Sequence, residues 1–92
     1  SAATEAALPI YEKAGIPVIS PTSTANNLTN NSSNSVFFRT APSDTVSGKV
    51  LADYVKKSRV NKVVVFYNSN SSPQGTYSNS LREEFIKNFE ND

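Results

Sequence analysis

Apolar positions along this chain change spacing from helical to strand-like and back, with polar runs marking each change. Across Ala2 to Ala14, Ala6, Ile10 and Ala14 recur four residues apart, with Ala7 and Tyr11 on the adjoining row. That spacing predicts a helix that packs this face against a sheet, kinked at Pro9, which removes a backbone donor. Val18 and Ile19 then form the centre of a short buried strand. Gly15 ends the preceding helix, Pro17 fits only at a strand's first residues, and Pro21 closes the strand. Ala25 to Leu28 suits a single helical turn, and Thr29 to Ser35 holds no apolar residue and predicts an exposed loop.

The same alternation continues to the end. Val36 to Thr40 predicts a second strand, stopped by Ala41 and Pro42, with Ser43 or Asp44 capping a helix that runs to about Ser58. Its apolar face carries Val46, Val50, Leu51, Tyr54 and Val55. Lys56, Lys57 and Arg59 complement the dipole at its far end, so this basic cluster reads as a solvated cap. Lys62 to Tyr67 is a continuous β-branched and aromatic run, the pattern of a strand buried on both faces. Asn68 to Thr76 is a second polar loop, and a final helix from Tyr77 or Ser78 places Leu81, Phe85, Ile86 and Phe89 on one face. Tyr11 and Tyr54 lie on apolar helix faces and are expected in the core. The order of helix, strand, strand, helix, strand, helix implies an α/β architecture with parallel pairing. Three strands are few for helices to cover on both faces, so the expectation is an excerpt of a larger fold.

Composition narrows the chemistry. Ninety-two residues make one domain at most. Nine Lys and Arg stand against eight Asp and Glu, which supplies no concentrated basic face for nucleic acid. The absence of Cys and His removes disulfides, thiol nucleophiles, most zinc sites and the usual general base, and Glu83 and Glu84 are neighbours that point to different parts of a helix surface. The reading is therefore not an enzyme, with no cofactor and no metal. The longest apolar run, Val63 to Tyr67, is far too short to span or insert into a membrane. Asn27-Leu28-Thr29, Asn30-Asn31-Ser32, Asn31-Ser32-Ser33 and Asn70-Ser71-Ser72 match the glycan acceptor pattern, as chance allows in stretches this rich in Asn and Ser.

The candidate chemistry sits just past the first strand. In open α/β sheets ligands bind beyond the carboxyl ends of strands, and Ser20, Thr22, Ser23 and Thr24 crowd that position here. The same residues also suit a hydroxyl-rich turn that satisfies its own backbone.

The segment from Ala7 to Pro21, with Gly15-Ile16-Pro17-Val18-Ile19-Ser20-Pro21 at its centre and Thr22-Ser23-Thr24 after it, resembles the type I periplasmic binding proteins. More narrowly it is similar to the leucine/isoleucine/valine-binding branch, the solute receptors of branched-chain amino-acid ABC transporters. Phe38-Arg39-Thr40, Lys62 to Tyr67, and Tyr77 ahead of Leu81 and Phe85 follow in the family's order. The resemblance implies a three-layer parallel-sheet architecture of two lobes, present as a fragment that spans the first inter-lobe crossing near Thr40 to Pro42. Residues 1–40 would belong to lobe I and 41–92 to the start of lobe II. It also implies ligand-binding roles for Ser1, Thr22, Thr24 and Tyr77, which with Ser23 at the strand end make the candidate binding set: a small amino acid's carboxylate and ammonium would meet Ser1, the Thr22 carbonyl and the Thr24 hydroxyl, and Tyr77 would close from lobe II. Ser1 would also cap the first helix, whose positive end suits an anion. The family usually has a small residue at Thr22, a departure that bears on the size of the pocket. The implied setting is periplasmic or extracellular, with an ABC permease or a signalling domain as partner. From the residues alone, a flavodoxin-like enzyme domain is the competing class, though no phosphate-cradling loop accompanies Gly15, Gly48 or Gly75.

Overall fold

The computed structural model describes residues 1–29, 36–69 and 76–91. Helix α1 spans Ala2–Ala14, strand β1 Val18–Ser20, strand β2 Phe37–Arg39, helix α2 Asp44–Lys57 and helix α3 Thr76–Glu90, with one 3-10 turn at Asn26–Leu28. β1 and β2 pair in parallel, with Val18 opposite Phe37 and Ser20 opposite Arg39. The fold class is thus α/β, with helices on a parallel two-stranded sheet.

Helix α1 stays helical through Pro9 and ends at Gly15, whose φ of 67° is the left-handed conformation that glycine tolerates best. Its buried residue is Leu8, not the Ile10 and Tyr11 face that the spacing favours; Ile10 is 71% exposed and Tyr11 is exposed too. The row through Ser1, Thr4, Glu5 and Leu8 turns inward instead, because it meets the loop after β1 with polar partners as well as an apolar one. Leu8, Ala25, Leu28 and Phe37 form the small core, flanked by Val18 and Val36. On the opposite side of the sheet the register partners Ile19 and Phe38 are both exposed, so this sheet buries one face.

Helix α2 also turns differently from its pattern. Gly48 and Ala52 are buried, whereas Val46, Val50, Leu51 and Tyr54 are exposed. The cause is α3. It lies so close that a Cβ on Gly48 would stand 2.6 Å from the Glu84 Cβ and 3.0 Å from the Phe85 nitrogen. Only a face of small residues admits that approach. From α3, Phe85 is buried and stacks on Phe89 with ring centroids 5.6 Å apart. Lys56 donates to the carbonyls of Asn88 and Asn91, tying the end of α2 to the end of α3.

The expected third strand is absent. Residues 61–69 carry no strand pairing among the described residues, and Val64 and Phe66 are 78% and 94% exposed. A β-branched run becomes a strand only beside another strand's donors and acceptors. Helices α2 and α3 flank this run instead, leaving a groove of about 350 Å³ among Leu51, Val55, Val63 to Tyr67, Leu81 and Phe85. The loops expected over Thr29 to Ser35 and Asn68 to Thr76, with the acceptor motifs at Asn30, Asn31 and Asn70, lie largely outside the described residues.

Candidate functional site: the loop after the first strand

The loop from Ser20 to Ala25 is built from hydroxyls that answer one another. Ser20, buried at the end of β1, donates its hydroxyl to Ser23 Oγ at 2.9 Å and accepts from the Ser23 amide at 3.1 Å. Ser23 Oγ also meets Thr4 Oγ1 of α1 at 2.7 Å. With Ser23 only 3% exposed, these bonds bind the loop to the sheet and to the first helix. Thr22 stands exposed at the tip.

Ser1 reaches the loop from the other side. Its Oγ accepts from the amides of Thr24 and Ala25, each at 3.1 Å, and makes no capping bond to its own helix. The expected cap is therefore replaced by a long-range contact, one that joins Ser1 to Thr24 through the backbone. The Thr24 carbonyl accepts from the amide of Asp44 at 2.8 Å, at the start of α2. Asn26 Oδ1 accepts from the Thr45 amide at 2.8 Å and the Thr45 hydroxyl at 2.9 Å. The loop thus satisfies the first amides of α2, a task that Ser43, the residue in the N-cap position, does not perform with its side chain.

Every polar atom of Thr24 except one is now occupied. Its Oγ1 is buried and has no hydrogen-bond partner among the described residues. Asp44, bonded through its amide to Thr24, is 1% exposed and likewise holds one unpartnered oxygen, Oδ2. Arg39 supplies the nearby positive charge: burial pulls its pKa below the ordinary value, and the Asp44 carboxylate opposes that shift.

Tyr77 lies elsewhere. It is 51% exposed in the first turn of α3 and lines the apolar groove beside Tyr67 and Leu81, a groove to which none of the loop hydroxyls contributes. The neighbouring residue links the two regions: Thr76 Oγ1 donates to Glu5 Oε2 at 2.7 Å, and Glu5 Oε1 accepts from Asn27 Nδ2 at 2.8 Å. Between them runs a polar cleft of about 290 Å³ lined by Asn26, Asn27, Thr76, Asn79, Ser80 and Glu83. Ser1 and Thr24 are therefore together, Ser23 is beneath them, and Tyr77 is one cleft away.

Two contributors escape sequence reasoning. Arg39 reads as the polar end of a strand, and Asp44 as a helix cap. The signal for the first is a lone cation directly after Val36, Phe37 and Phe38, where the pleat turns it to the same face as buried Phe37.

A family profile described as the receptor family ligand binding region matches residues 1–92, the whole chain. The chain belongs to this ligand-binding family. That places it in the type I periplasmic-binding-like superfamily, as the Gly15 to Thr24 resemblance anticipates, without resolving the branched-chain branch. No curated protein and no solved structure gives a significant match. A receptor ligand-binding region takes a small-molecule ligand, and no described helix is long and apolar enough to cross a membrane.

Proposed function

We propose that this chain carries one wall of an inter-lobe cleft that captures a small amino acid or a similar polar ligand without covalent chemistry. One observation carries the reading: among the described residues the Thr24 hydroxyl is buried and unpartnered while the main chain on both sides of it is held. A buried hydroxyl without a partner costs about 1–3 kcal/mol, so its persistence favours a ligand atom as the missing partner. Ser1, Thr22 and Thr24 form the lobe I side, with Ser23 supporting them from below. Tyr77 approaches from residues 41–92 as the lobes close about a hinge at Thr40 to Pro42. The bonds that join Thr24 and Asn26 to Asp44 and Thr45 bridge that boundary close to the hinge, and those that join Glu5 to Thr76 and Asn26 to Ser80 and Glu84 bridge it farther out.

The receptor would sit in the periplasm or outside the cell and deliver its ligand to an ABC permease. The same cleft would equally serve the sensing ectodomain of a signalling receptor, since a ligand-binding region is common to both roles. Calorimetric titration of the full-length protein with each of the twenty common amino acids tests the ligand class. Saturable binding of at least one is expected, and silence across the whole panel would sink the amino-acid reading.

A further inference from the structure

Arg39 sits at the end of β2, opposite Ser20 in the sheet, with its guanidinium carbon 5.8 Å from the centre of the Phe37 ring. Its Nη1 donates to two carbonyls, that of Ser23 at 3.3 Å and that of Ala25 at 3.0 Å, and its Nη2 donates to Thr29 Oγ1. The two carbonyls belong to the residues immediately before and after Thr24. One nitrogen thus gathers the carbonyls of both residues that flank Thr24, while Thr24's own carbonyl goes to Asp44 and its amide to Ser1.

We infer that Arg39 is a positioning residue for Thr24, an inference that rests on the ligand-binding reading above: it fixes the flanking carbonyls so that the Thr24 hydroxyl stays free for ligand. A flexible loop would let that hydroxyl rotate with its backbone onto an internal acceptor, and binding would then first have to break the internal bond. Holding the loop beforehand removes that cost. The guanidinium suits the task because its planar fork spans several acceptors at once, remains charged when half-buried, and stacks on an aromatic face. A lysine ammonium is a compact point charge on a flexible stem, and cannot straddle two carbonyls and the Thr29 hydroxyl with the same geometry.

The test uses the full-length, isotope-labelled protein and two variants, Arg39→Gln and Arg39→Lys. Amide hydrogen exchange is read at Thr24 and Ala25 and compared with Leu8 in α1 and Phe85 in α3. Both variants are expected to exchange at least about tenfold faster at Thr24 and Ala25, with the helix amides changed by less than about threefold. Both should also bind the tightest member of the amino-acid panel at least about tenfold more weakly. Unchanged exchange at Thr24 and Ala25 would overturn the inference, as would a uniform rise at all four amides, which marks a general loss of stability. Recovery of the original exchange by Lys would overturn the role of the fork. Should the unaltered protein bind no amino acid, the ligand reading fails by itself, and the exchange comparison still decides whether Arg39 holds the loop.

Discussion

Replacing Thr24 by Val keeps the branched shape of the side chain and removes only its hydroxyl, so structural and binding roles separate by sign. A buried, unpartnered hydroxyl is a liability to the unliganded fold. Thr24→Val is therefore expected to leave thermal stability unchanged or raise it by up to about 1 kcal/mol, while affinity for the bound amino acid falls about tenfold, near 1.4 kcal/mol. Melting curves and calorimetry on the full-length protein check both halves; a variant that loses stability and keeps affinity would mean that the hydroxyl serves the fold. At this scale the sequence is partly legible. Ser1 and Thr24 could be paired from the family resemblance, and the structure joins them, although through the Thr24 amide rather than through a shared ligand. Ser23 could not be ranked from sequence, because a hydroxyl that faces a cleft and one that faces Thr4 look the same in a string of Ser and Thr.

Between elements, the close approach of α2 and α3 depends on the missing side chain of Gly48. An Ala there would gain about 1 kcal/mol of helix propensity, but its Cβ would stand 2.6 Å from the Glu84 Cβ and 3.1 Å from the Glu84 carbonyl carbon. Neither atom is the movable end of a side chain, so the helices must separate. Gly48→Ala is expected to lower stability by about 1–2 kcal/mol net, read as a lower denaturant midpoint for the full-length protein. A midpoint that rises would show that propensity wins and that the helices part without cost. The helix bounds themselves are well predicted, because Gly15 and Pro42 act locally through their backbone preferences. Which face is buried is not, because the Val46, Val50 and Tyr54 stripe is the more apolar one and α3 nevertheless packs on Gly48 and Ala52.

The whole molecule is elongated, with extents of 49 × 24 × 20 Å and a radius of gyration of 14.8 Å. A compact domain of this length would measure about 12 Å. Its apolar core is correspondingly thin, with Leu8, Ala25, Leu28 and Phe37 at one end and Ala52 and Phe85 at the other, while Ile19, Phe38, Val64 and Phe66 face outward. So little burial scarcely offsets the entropy of ordering the chain. These 92 residues by themselves are expected to melt broadly and to bind a hydrophobic dye before heating. A sharp two-state transition in a proven monomer, followed by circular dichroism, would contradict this.

What the sequence determined by itself is local. Gly15 ends α1, Pro42 precedes α2, and Val18 to Ser20 and Phe37 to Arg39 carry the propensity for strands. Each depends on backbone preferences that a residue and its near neighbours carry with them. Tertiary structure decided the rest. The Val63 to Tyr67 run has strand propensity but no strand beside it among the described residues, and propensity alone makes no ladder. The Thr24 hydroxyl became distinct from the other hydroxyls around it only when Ser1, Arg39 and Asp44, from three separate elements, closed on the main chain around it and left that one group unanswered.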